Sequence, residues 1–121
     1  MGDATNTNSF PGFDRCVEFI RSGNDAIHED GYFWLVEHAT DYVSELIALA
    51  ENENDDSMRV TWIELLGDTC SERCVEILIK FLSHQHGSTR VHSVLSLETI
   101  DVPVALKAAE NYRETHPDEF Q

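Results

Sequence analysis

Four residues in the middle of this chain carry side chains that bind metals: Cys70, Cys74, His84 and His86. Cys-x3-Cys and His-x-His are each usable zinc ligand pairs. They flank a segment of about 12 residues that reads as a helix, so the two pairs lie ~18 Å apart. One tetrahedral site does not span that distance. The cysteines are expected to be structural, and no metal is expected. The other reactive groups are carboxylates. Glu64 and Asp68 are neighbours one helical turn apart, and such pairs serve elsewhere as acid and base. With 23 acidic residues in the chain, close pairs also arise by chance. No Ser-His-Asp order, glycine-rich phosphate loop or His-Glu-x-x-His helix accompanies them. The sequence therefore predicts no catalytic residue and no cofactor, and a protein that is not an enzyme.

Composition narrows the classes further. A length of 121 residues suits one domain, and 41% apolar residues suffice for a core. No run approaches the ~18–20 apolar residues of a spanning helix, so no membrane is expected. The start, Met1-Gly2-Asp3-Ala4-Thr5-Asn6, lacks the pattern of a signal peptide, and Asn6 breaks that of a myristoylation site. Three cysteines, an odd count, agree with a reducing compartment. These features predict a soluble, cytoplasmic protein.

Charge is the strongest global signal: 23 acidic residues against 8 basic ones, a formal net charge of −15. Such a surface repels phosphate backbones, which argues against nucleic acid as a partner. It attracts a basic protein and speeds the encounter. The same acid also serves solubility, or a salty cytoplasm, and composition does not separate these readings.

The elements that must position these residues are helical. Residues 1–12 are polar, end in Phe10-Pro11-Gly12, and read as a disordered arm. From Phe13 onward apolar residues recur at three- and four-residue spacing. The predicted helices are 13–22, 25–38 (weakened in its middle by Gly31), 40–51, 57–67, 72–83 capped by Ser71, 89–99 capped by Ser88, and 103–115 with Pro103 in its first turn. His116-Pro117 ends the last one. No useful stretch alternates with period two, so the expected class is all-α. The expected organisation is one domain over 13–116 with a tail at 117–121.

The helices repeat. Ser57-Met58-Arg59-Val60-Thr61-Trp62-Ile63-Glu64-Leu65-Leu66 aligns with Ser88-Thr89-Arg90-Val91-His92-Ser93-Val94-Leu95-Ser96-Leu97 at an offset of 31 residues. The offset also carries Val75 onto Leu106, Leu78 onto Ala109 and Phe81 onto Tyr112. Matched helices with a period in the thirties mean a helical solenoid. Met58 to Asp68, with Val-Arg-like and Leu-Gly positions, resembles the second helix of a HEAT-type repeat. Cys74 to Leu82 resembles the family's first helix, and Thr89-Arg90 to Leu97 repeats the second-helix pattern with Glu98 in place of the glycine. Residues 25–56 resemble a divergent copy without the arginine. The resemblance covers about 40–115 and implies a short right-handed α-solenoid of about three HEAT-like pairs (25–51, 57–83 and 89–115), capped by helix 13–22.

In the register of that family, Met58, Thr61, Trp62, Leu65 and Leu66 face the core. Val60, Ile63 and Glu64 then face outward, with Val91, Val94 and Leu95 as their equivalents in the next copy and Asp30, Phe33 and Trp34 in the earlier one. The expected partner-binding surface is a row of Phe33, Trp34, Ile63, Val94 and Leu95 bordered by Glu29, Asp30, Glu37, Glu64 and Asp68, an apolar centre in an acidic rim. Arg59 and Arg90, at matched positions, are expected to tie neighbouring helix ends or carboxylates. His28, His38 and His92 receive no role. Small acidic HEAT-like proteins of this size resemble bacterial immunity proteins, which implies a non-catalytic inhibitor covering a basic, nuclease-like toxin domain. The alternatives are an adaptor or regulatory subunit of a larger assembly and, further off, a HEAT-like lyase.

Overall fold

The computed structural model describes residues 9–120, which hold seven α-helices and no strand. The fold class is all-α, as the apolar spacing predicts. Among the described residues no helix is long and apolar enough to cross a membrane. The chain divides between His38 and Ala39 into two compact units.

The first unit pairs α1 (Phe13–Arg21) with α2 (Asp25–His38). Asn24 caps α2, its Oδ1 accepting from the Ile27 amide at 3.1 Å. Cys16 and Ile20 of α1 and Leu35 of α2 are buried. Gly31, expected to weaken α2, instead lets the two helices touch. A Cβ there would lie 2.8 Å from both the Cys16 carbonyl oxygen and the Phe19 Cβ. The benefit of close packing outweighs the ~1 kcal/mol helix-propensity cost of glycine. Of the expected N-terminal arm, residues 1–8 lie outside the described residues. Phe10 stacks on the His38 ring with centroids 3.9 Å apart.

The second unit contains α3 (Val43–Asn52), α4 (Asp56–Asp68), α5 (Val75–Phe81), α6 (Gly87–Ile100) and α7 (Pro103–Thr115). Three 3₁₀ turns, Ala39–Asp41, Glu72–Cys74 and Pro117–Phe120, join or follow them. The helix expected over 40–51 is therefore a 3₁₀ turn followed by α3. Ser71 does cap, accepting from the Arg73 amide at 3.2 Å, but it opens the 3₁₀ turn that leads into α5. Ser88 is not the cap of α6. That helix starts two residues earlier than expected, at Gly87, and its cap is His86, whose Nδ1 accepts from the Thr89 amide at 3.3 Å. The cap of α4 is Asp55, which accepts from the Met58 amide at 2.9 Å. Asp101, at a left-handed φ of 60°, ends α6 before Pro103 opens α7.

Helix α4 packs on α3 and α6, and α6 packs also on α5 and α7. Trp62, Leu65, Leu66, Leu78 and Leu97 are fully buried, each such side chain contributing ~1.5–3 kcal/mol by leaving water. The Trp62 indole N–H is satisfied by Glu53 Oε1 at 2.8 Å, as a buried indole requires. Where α4 crosses α6, Gly67 faces Ser96 so closely that a Cβ would lie 2.8 Å from Ser96 Oγ. That hydroxyl donates to the Ile63 carbonyl at 2.8 Å.

The 31-residue offset has a structural counterpart. Helices α2, α4 and α6 begin at residues 25, 56 and 87. Arg59 donates to the Glu53 carbonyl at 3.0 Å, and Arg90 to the His84 carbonyl at 2.8 Å. Each arginine thus secures the loop six residues before it, in the helix-end role expected of both. The capping residues Asp55 and His86 are 31 apart as well.

Candidate functional site

Ile63 and Val94, expected on the open side of α4 and α6, are fully buried. The expectation of an outward apolar row through them is corrected. Each of these helices is covered on several sides by its neighbours, which leaves a narrower open strip than a helix packed on one side would have. The strip runs one position later, through Glu64 on α4 and Leu95 on α6, and Leu95 keeps 43% of its surface exposed. Counting 31 residues back from Glu64 reaches Phe33, not Trp34. Phe33 is 58% exposed, whereas Trp34 is half-buried with its ring 6.1 Å from that of Phe10. The expected correspondence between α2 and the later helices is thus off by one residue.

In the second unit, α4 and α6 bring together Glu64, Asp68, His92 and Leu95. Glu64 and Asp68 project one turn apart from α4, and His92 Nδ1 of α6 lies 3.4 Å from Glu64 Oε2. Leu95 follows His92 by three residues on the same helix. Partial burial, and secondarily the Glu64 carboxylate, push the Asp68 carboxyl above the ordinary carboxylate range. No salt bridge reaches Asp68 among the described residues. Two carboxylates one turn apart, one of them partly desolvated, have the chemistry to accept hydrogen bonds from a guanidinium or ammonium group.

In the first unit, Phe33 stands exposed on α2 with Glu29 and Asp30 one turn before it and Glu37 one turn after, all three exposed. Of the ten residues expected to bind a partner, Glu29, Asp30, Phe33 and Glu37 therefore share one open helix side. Glu64, Asp68 and Leu95 belong to the α4–α6 strip. Trp34, Ile63 and Val94 are drawn wholly or partly into packing.

The buried cysteine thiols are not activated. Burial pushes the Cys16 thiol up to about 11 and also raises that of Cys74, so neither is a thiolate near neutrality. Cys70 is exposed at a left-handed φ of 52°. Among the described residues no group of three or more His, Cys, Asp or Glu side chains could hold a metal ion.

Two clusters involve partners that the sequence does not name. Arg113 of α7 holds Glu98 of α6 with two hydrogen bonds of 2.7 and 2.9 Å. Arg90 donates through Nε to the Tyr112 hydroxyl at 3.0 Å and pairs with Glu119 at 3.2 Å. The Tyr112 hydroxyl in turn donates to Glu119 at 2.8 Å. Arg90 holds the Glu119 carboxyl below its usual range, while burial and Glu119 push the Tyr112 phenol up. These groups line one end of a shallow groove of about 750 Å³ whose other walls include Ile79, Leu82 and Asn111. The repeat offset could have revealed His92, which falls at the position of Thr61; it also reaches the Pro117–Phe120 turn, but not which side chain there meets Arg90. No protein-family model, no curated protein and no solved structure matches the chain.

Proposed function

We propose that this chain is a non-catalytic protein-binding module that presents acidic surfaces to a basic partner, on a short right-handed solenoid of HEAT-like helix pairs. The observation that carries the binding role is Asp68. Its carboxylate is partly desolvated, repelled by Glu64 and unpaired by any cation among the described residues. A carboxylate whose ionised form is disfavoured in the folded chain and that lacks a cation among the described residues is a candidate to pair with a cation of a partner. The net charge of −15 supports the same reading, because it steers a basic protein toward the surface. The solenoid is supported by helix starts spaced 31 residues apart, by the matched arginine contacts, and by the packing of α4 on α6 and of α5 on α7.

The specific version is an immunity-type inhibitor. An acidic protein competes with nucleic acid for the positively charged active site of a nuclease-like toxin, and needs no chemistry to block it. The test is affinity capture from the native cell on immobilised wild type and on a Glu64→Gln/Asp68→Asn variant. Captured proteins are identified by mass spectrometry and co-expressed with the chain to score toxicity. A basic protein captured by wild type, lost from the variant, and toxic only without the chain is the expected result. A neutral or acidic partner held equally by both proteins would overturn the acidic-surface reading. A basic, non-toxic partner in a stable multi-subunit complex would replace the inhibitor by an adaptor.

A further inference from the structure

The 3₁₀ turn Pro117–Phe120 folds back onto α6 and α7, and three different interactions hold it there. Glu119 pairs with Arg90 at 3.2 Å and accepts from the Tyr112 hydroxyl at 2.8 Å. The Phe120 ring lies edge-on to Tyr112, with centroids 6.2 Å apart. The Arg113 guanidinium sits over the Phe120 ring, 4.3 Å from its centroid, while its nitrogens bind Glu98.

The placement is not arbitrary. Helices begin at 25, 56 and 87, and the same spacing continued once more falls on Asp118, inside the turn. Arg59 reaches forward to Thr89 in the first turn of α6, with Nη1 3.5 Å from the hydroxyl. Arg90 reaches forward to Glu119 in the same way. Towards α6, the turn therefore does what the first turn of α6 does towards α4. The difference is in what anchors it. Arg59 is buried at 6% exposure with α6 packed along α4 behind it, whereas the four-residue turn is held chiefly by its own side chains.

We propose that residues 117–120 are a detachable clasp on α6 and α7 of the second unit, at the position where the 31-residue spacing next falls. Its lock is Glu119 on Arg90 and Tyr112, and its release uncovers Arg90 and one end of the groove. The clasp itself rests on the contacts just given. Only the match to the 31-residue spacing depends on the solenoid reading, and that part fails separately if the repeat is wrong.

Hydrogen exchange read residue by residue tests it on the full chain. The protected amides are those of His116, bonded to the Tyr112 carbonyl at 2.9 Å, and Glu119, bonded to the His116 carbonyl at 3.1 Å. Glu119→Gln keeps shape and removes charge, and should speed exchange at position 119 about tenfold, the scale of a lost charge-assisted hydrogen bond. Phe120→Ala should act in the same direction. Asp118→Asn, at an exposed neighbouring carboxylate, should not. Equal exchange at position 119 in Glu119→Gln and Asp118→Asn would overturn the lock. Acceleration spread evenly through α4, α6 and α7 would overturn detachability, because the turn would then unfold only with the whole unit.

Discussion

The Ser96 hydroxyl of α6 donates a 2.8 Å hydrogen bond to the Ile63 carbonyl of α4, and Gly67 makes that approach possible. A methyl on Gly67 would stand 2.8 Å from Ser96 Oγ and 3.1 Å from its Cα. The serine side chain has no longer arm to swing away, and the Cα belongs to the backbone of a packed helix. Gly67→Ala gains ~1 kcal/mol of helix propensity but overpacks an interface where strain costs ~1–3 kcal/mol. The expected net outcome is a loss of about 1 kcal/mol, up to about 2, read as a lower urea midpoint at unchanged slope. A gain in stability would mean that α4 and α6 lie further apart than described.

Gly31→Ala should be worse for the first unit. Its Cβ meets a carbonyl oxygen and a Cβ, both at 2.8 Å, and neither has freedom to move. Hydrogen exchange should show faster opening of α1 and α2. If the amides of α4 and α6 respond as strongly as those of α1 and α2, the localisation of the effect is wrong.

Arg59 is buried yet charged, and its guanidinium binds Asp56 at 2.5 Å and the Glu53 carbonyl at 3.0 Å. Arg59→Ala leaves that carbonyl and carboxylate without their donor and should cost about 2–3 kcal/mol, from hydrogen bonds made by a charged group. Arg59→Lys should recover only part of this, since an ammonium cannot address both acceptors in the fork geometry of a guanidinium. Full recovery by lysine, measured by thermal unfolding, would reduce Arg59 to a point charge.

Asp68 offers a test in which stability and binding move in opposite directions. Its carboxyl is raised by burial and by Glu64, so the folded state holds a proton more tightly than the unfolded chain. Ionisation therefore costs stability as pH rises through the folded value. Asp68→Asn should be neutral or stabilising by about half a kcal/mol or less at neutral pH, given that the group is partly solvated, while weakening capture of a basic partner. Lower stability at neutral pH would mean that the charge serves the fold.

Acid should loosen the start of α6. His84 Nδ1 accepts from the His86 amide at 3.0 Å, and only a ring unprotonated at that nitrogen can do so. Burial, with Arg59 next, lowers the His84 pKa from 6.5. The folded state thus prefers the neutral ring. This contribution is complete above about pH 6.5 and is lost as pH falls from there through the folded value. Unfolding of wild type should become easier over that interval, and His84→Asn should flatten the dependence. An identical acid slope in both proteins would place the sensitivity elsewhere.

Much of the fold is legible in residue order. Apolar spacing announces helices around Cys16, Leu46, Trp62, Leu78, Leu97 and Ala109, because a helix with one wet side must repeat its apolar residues every three to four positions. The 31-residue offset between Arg59 and Arg90 is also written in the chain, and both arginines reach the carbonyl six residues upstream. Tertiary structure alone decided which sides of α4 and α6 stay open. Periodicity defines a stripe, but Ile63 and Val94 are buried by helices that arrive from other parts of the chain. A helix covered on several sides needs apolar or small residues beyond the stripe, which is why Gly67 and Ser96 sit where one-sided packing would have put larger surface residues. The same reason separates Glu64 and Leu95, which remain at the surface, from their immediate neighbours. The pairing of Glu119 was not legible for a different cause: the 31-residue offset reaches its turn, but an ion pair across 29 residues leaves no mark on local spacing, and only the path of the chain brings Glu119 to Arg90.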